Sequence, residues 1–194
     1  MLYTWNTLLF RKYWVRPIFQ NRDFGEHRLI QERESDPEMY HKYLRMDKRT
    51  FEKLLSFVQP HILKCNTNMR ESIPPKLRLA ITIRYLATGA SCATLAFYFR
   101  VGHSTVCKIV HETSDTLWNV VQPIYLRYPS KDQWRVIADN FNDRWQFPMC
   151  VGAIDGKHNR IQAPANTGTQ YYSYKHTFSI VLLAMCDANY QCSL

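Results

Sequence analysis

The sequence predicts an α+β chain, with an α-helical N-terminal region containing a helix-turn-helix and a C-terminal part built on short strands. Three observations predict it. Between Pro37 and Pro123 apolar residues recur at steps of three and four, the period of helices with one buried face. A tight turn at Arg100 to Gly102 separates two of those helices. From Met149 onward the period gives way to apolar or alternating runs of strand length, at 149–154, 159–163 and 178–187.

Taken in order, residues 1–35 are mixed, aromatic and basic, and read as an irregular arm or a short helix. Tyr40, Tyr43 and Leu44 share one face of a helix that begins at Pro37. Asp47 can cap the next, which carries Phe51, Leu54, Leu55 and Val58 and ends at Pro60. Pro74-Pro75 opens a broadly apolar helix through Leu77, Ile81 and Tyr85, closed by Gly89. Ser91 caps a short helix carrying Leu95, Ala96 and Phe99. After the turn, a longer helix starts near His103/Ser104, carries Val106, Ile109, Val110, Thr113 and Leu117, and is stopped by Pro123. A further helix runs through Ile137, Phe141 and Trp145.

The pair on either side of Arg100 resembles a helix-turn-helix. Ala96 is small where two helices cross, Val101 plugs the turn, and Val106 and Ile109 anchor the second helix. Its outer face would present His103, Ser104, Thr105, Lys108 and His111, which can donate to phosphates and base edges. Arg100 stands where glycine is usual, so it takes a left-handed conformation at a cost of about 1 kcal/mol, or the turn is built differently. An ordinary helical hairpin is the other reading.

Charge favours the DNA-contacting one. The chain of 194 residues carries a net +9. Residues 60–111 hold seven Lys/Arg against one acid, whereas residues 112–194 hold seven of each. Arg84 and Arg100 belong to this basic stretch, and a concentrated positive surface suits phosphate. Other classes fall away. No apolar run approaches the ~18 residues of a membrane span. The basic residues Arg11, Lys12 and Arg16 follow the apolar N-terminal ones, the wrong order for a secretory signal, so an intracellular protein is expected. The six cysteines include no C-x-x-C pair and read as small buried hydrophobes with free thiols.

In the second half, Met149 to Ile154 reads as a strand stopped by the turn chemistry of Asp155-Gly156, with a return strand over Asn159 to Ala163. The run 178–187 is apolar enough for a central, buried strand. Asp155, at the edge of a core strand, is either a turn former or a carboxylate that needs a cation. His158 and His176 are the histidines near it. His158 could orient a metal carboxylate or could be a polar strand residue.

The run Val-Gly-Ala-Ile-Asp-Gly-Lys-His at 151–158, with Ile161-Gln-Ala-Pro164, Tyr171-Tyr-Ser-Tyr-Lys175 and the segment from Phe178 to Tyr190, resembles the transposase domain of the PIF/Harbinger superfamily. That superfamily includes the Harbinger transposase-derived nucleases and the plant antagonist-of-like-heterochromatin proteins. Tyr43-Leu-Arg-Met46, Phe51-Glu-Lys-Leu-Leu55, Arg84-Tyr-Leu-Ala-Thr-Gly89 and Ser104-Thr-Val106 fit it in the same order, so the resemblance covers roughly residues 37–190. The pattern and charge divide the preceding chain into an arm and helices over 1–59 and a helix-turn-helix-like domain over 60–125, and the resemblance implies an incomplete ribonuclease H-like α/β domain over 126–194. It also implies a three-carboxylate site for two divalent metals, Mg²⁺ or Mn²⁺, that cleaves phosphodiesters or transfers strands. Asp155 matches the first of those carboxylates. Asp187 matches none of the three, so two ligands are missing and the domain reads as C-terminally truncated. Metal binding is then expected to be weak or absent, the chain alone inactive and its C-terminal part marginally stable. Double-stranded DNA is the implied partner, with a Myb-like protein as a second, in the nucleus or also the cytoplasm. The alternative is a non-catalytic DNA-binding or partner-binding remnant.

Overall fold

The computed structural model describes residues 17–19, 36–68 and 71–192. It is α+β and mostly helical, with a two-stranded antiparallel sheet. The chain divides at Val120/Val121 into two compact units. The expected N-terminal arm lies outside the described residues except for a 3-10 turn at Pro17–Phe19.

Unit 1 contains α1 (Pro37–Leu44), α2 (Lys48–Ile62), α3 (Pro75–Thr88), α4 (Cys92–Tyr98) and most of α5 (His103–Tyr125). Local chemistry sets the helix ends. Asp36 accepts the Met39 N–H at 3.1 Å, and Asp47 accepts the backbone N–H of Thr50, each satisfying an amide left open in a first turn. Gly89 closes α3 with φ 64°, a conformation glycine adopts without penalty. Each internal proline lies two residues before the true end of its helix: α2 continues past Pro60 to Ile62, and α5 past Pro123 to Tyr125. A proline removes its own N–H, but later amides still find carbonyls, as when Leu63 N–H donates to Gln59 O at 3.1 Å.

α3 runs through the middle of the core. Leu77, Arg78, Leu79, Ala80, Ile81, Thr82 and Ile83 are buried in succession, so the helix is enclosed on all sides and its sequence is nearly continuously apolar. Tyr40, Leu44, Phe51, Val58, Leu95, Phe99, Val106 and Ile109 belong to the same cluster. That cluster is continuous across residue 59/60, where a boundary between segments was expected.

Unit 2 contains α6 (Lys131–Trp145), β1 (Ala153–Arg160) and β2 (Ser179–Cys186). Ser130 and Gln133 form a capping box at the start of α6, each side chain accepting the other's backbone N–H. Trp145 donates its indole N–H to Ala188 O at 3.2 Å and meets Tyr190 edge to face. Gly152 approaches Met185 so closely that a Cβ there would lie 2.7 Å from the thioether.

Three strand expectations are corrected here. Met149 has φ 62° and residues 149–152 are not a strand; the strand begins at Ala153. Asp155-Gly156 is not a turn: both residues lie within β1, opposite Ala184 and Leu183. Local turn preference loses to a ladder of eight residue pairs, Ala153↔Cys186 to Arg160↔Ser179. The run 178–187 is not a buried central strand. Among the described residues β2 has one neighbour, β1, and Ile180, Val181, Leu182 and Leu183 remain 51–67% exposed.

Candidate nucleic-acid interface

Ser91 caps α4 by accepting the Thr94 N–H at 3.1 Å, which sets the start of a helix whose Leu95 and Ala96 enter the core. The turn that follows is a Schellman motif. Val101 N–H donates to Ala96 O at 3.1 Å, Arg100 N–H donates to Phe97 O at 3.4 Å, and Arg100 adopts φ 50°. Arg100 therefore takes the left-handed conformation that the sequence allowed as one option. Buried Phe99 and Val101 flank it and hold the turn against the core.

α5 leaves the turn with Val106, Ile109, Val110 and Thr113 buried. The opposite side carries His103, Ser104, Lys108 and His111, all exposed, with Thr105 half-buried at the margin. His103 Nε2 lies 3.8 Å from the Cys107 thiol, one helical turn on. Arg84 stands apart from this face. Its guanidinium donates to Tyr43 O at 2.9 Å and lies over the Tyr43 ring at 4.2 Å, so it ties α3 to α1. Its structural role is clear, and the helix face does not include it.

Three residues beside this face escaped sequence reasoning: Lys64, Arg78 and Glu112. Arg78 projects from the first turn of α3 and donates to Glu112 Oε2 at 2.5 Å. Lys64 and Lys108 approach the same carboxylate at 3.5 and 3.7 Å. Lys64 is positioned by its loop, where Ser72 donates its hydroxyl to Lys64 O and its backbone N–H to Asn66, both at 2.9 Å. Burial pushes the Glu112 carboxyl up, but Lys64, Arg78 and Lys108 outweigh it and hold the group below its ordinary value of 4.5. Two signals pointed here: an arginine inside the mostly apolar run 77–83, and the Lys108/Glu112 spacing of four.

The catalytic expectation meets a different geometry. Asp155 is the third residue of β1, exposed, and its carboxylate accepts the N–H of Gly156 at 2.8 Å. Asp187, after β2, accepts the N–H groups of Asn189 and Gln191 at 2.8 Å and so shapes its own turn. Among the described residues no three His, Cys, Asp or Glu side chains come together in a way that could hold a metal ion. The residues described do not fit a two-metal site. His158 bonds through Nδ1 to Ser179 Oγ at 2.8 Å across the strands, a polar strand contact, and His176 lies in the loop with Nδ1 3.4 Å from Tyr172 OH.

The cysteines are less buried than expected: Cys65 and Cys192 are exposed and the other four are half-buried. Cys186 and Cys192 lie in an isolated bridge with thiols 3.8 Å apart, and that contact pushes the Cys186 thiol up. None of the helices described is long and apolar enough to cross a membrane.

Among curated proteins, the chain is similar to antagonist of like heterochromatin protein 1 of Arabidopsis thaliana, 28% identical over 151 residues. It is also similar to an ALP1-like protein of the same plant, 24% identical over 163 residues. The alignments cover 75% and 79% of this chain but 38% of each relative, so the chain spans well under half the length of the proteins it matches. These relatives agree with the Harbinger-derived resemblance of the sequence. No family model matches the chain, and no solved structure does.

Proposed function

We propose that this chain, a relative of the transposase-derived antagonist-of-like-heterochromatin proteins, binds duplex DNA through a helix-turn-helix formed by α4 and α5 and acts in the nucleus. The observation that carries the reading is the two-sided character of α5. Its inner face is anchored in the core by Val106, Ile109 and Val110, while donors on its outer face stand clear of the protein. That face lies within the basic stretch 60–111 of the sequence. A nuclear location follows the first relative, whose name ties it to a heterochromatin protein. Double-stranded DNA is the partner this surface suits. A Myb-like protein partner rests on the sequence resemblance alone.

The test is binding of the full chain to a fluorescent duplex at increasing salt. A phosphate-mediated contact gives a log K that falls with log salt by about 0.9 for each phosphate neutralised. A flat response would overturn the reading and leave partner binding in its place.

The nuclease chemistry of the family is a separate proposal for this polypeptide. Asp155 is the residue the resemblance assigns to catalysis, and two-metal cleavage needs further carboxylates brought to it. Purified residues 1–194 should therefore give no Mn²⁺-dependent plasmid nicking. Nicking that disappears in Asp155→Ala would refute this and make the polypeptide a nuclease in its own right.

A further inference from the structure

We propose that Lys64, Thr105 and Lys108 form a seat for one backbone phosphate of duplex DNA, built over the buried Arg78, and that Glu112 fills this seat as an internal counter-anion in the free protein. The inference rests on the DNA-binding reading above and deepens it.

Four observations converge. A cleft of about 280 Å³ opens beside α5, lined by Lys64, Arg78, Thr105, Lys108, Ile109 and Glu112. Three cations meet one carboxylate there, so these four groups keep an excess of two positive charges. The Arg78 side chain is only 7% exposed, and its Nε has no hydrogen-bond partner, so its charge is incompletely satisfied where water is scarce. The two lysines differ from it: their side chains are 51% and 73% exposed, and their ammonium groups stand 3.5 and 3.7 Å from Glu112. Exposed lysines held this loosely can turn to a new anion at small cost.

The division of labour follows. Arg78 donates to Glu112 at 2.5 Å and keeps it. An arriving phosphate takes the two ammonium groups and the Thr105 hydroxyl. Thr105 stands on the first turn of α5, beside the exposed donors of the outer face, so a phosphate seated here would set the position of that face against the duplex. Glu112 opposes the phosphate by charge, which makes the site weaker than three bare cations would be.

The experiment uses the full chain and the fluorescent duplex, comparing wild type with Lys64→Ala/Lys108→Ala and with Glu112→Gln. The lysine pair should lower the salt slope by about 0.9, the value for one phosphate no longer neutralised. Glu112→Gln keeps an oxygen acceptor for Arg78 and should tighten binding several-fold. Inorganic phosphate added in competition should weaken the wild type more than the lysine-pair variant. If the wild type binds with a normal salt slope that the lysine pair leaves unchanged, this inference falls while DNA binding stands. If the wild type shows no salt-dependent binding, the DNA reading itself falls. Thermal melting of each variant accompanies the titrations. The lysine pair lies at the surface and tests the seat even if Glu112→Gln melts early.

Discussion

Phe51→Ala is expected to lower the stability of unit 1 by about 3–5 kcal/mol. Phe51 is fully buried and meets Tyr40 edge to face at 6.3 Å. It stands on α2 among residues of α1 and α3, so truncation opens a cavity where three helices converge. The loss would have two parts, the transfer of the ring to water and the cavity that fixed backbones cannot close. Since a whole domain is stable by only about 5–15 kcal/mol, this single change uses a large share of the margin. Urea unfolding followed by helical circular dichroism checks it. A loss under about 1 kcal/mol would mean that Phe51 is not at the centre of a packed core.

Glu112→Ala is the second large effect, expected to cost about 2–3 kcal/mol. A fully buried pair that loses one partner costs ~3–5 kcal/mol, and the figure is lower here because the Glu112 side chain keeps 32% exposure. The mutation strands the guanidinium of Arg78 in the core, whereas Lys64 and Lys108 turn to water without loss. Replacing both Arg78 and Glu112 by apolar residues should therefore recover much of the stability. The dependence on pH has a definite sign. The folded carboxyl sits below 4.5, so the unfolded chain binds the proton first, and the contribution of Glu112 is complete above that value. It is lost as pH falls through the depressed folded value. Acid titrations of stability for wild type and Glu112→Ala should converge at low pH; curves that stay parallel would contradict the assignment.

The helices were legible in the sequence because each rests on local signals. Asp47 and Ser91 cap where a capping side chain was read, and Tyr40, Tyr43 and Leu44 share the buried face their spacing describes. Even the strained Arg100 was visible as the absence of a glycine. The strands were less legible because pairing is not local. Asp155-Gly156 carries strong turn chemistry, yet its partners are Ala184 and Leu183, whose positions no short window contains. In the candidate interface, the outer face of α5 could be read from helical spacing. Its association with Lys64 and Arg78 could not, since a loop and a second helix bring them to Glu112.

The register of the sheet also orders the folding of the molecule. In unit 1, consecutive helices pack on one another, so most contacts join near neighbours along the chain, and such topologies collapse in microseconds to milliseconds. β1 and β2 cannot pair until the roughly 18 residues between them have closed into a loop, an entropic cost near 2.6 kcal/mol before any ladder bond repays it. Helical signal should therefore appear in refolding before the sheet does. For a time the nascent chain would carry a formed α4–α5 surface beside strands that have not yet met.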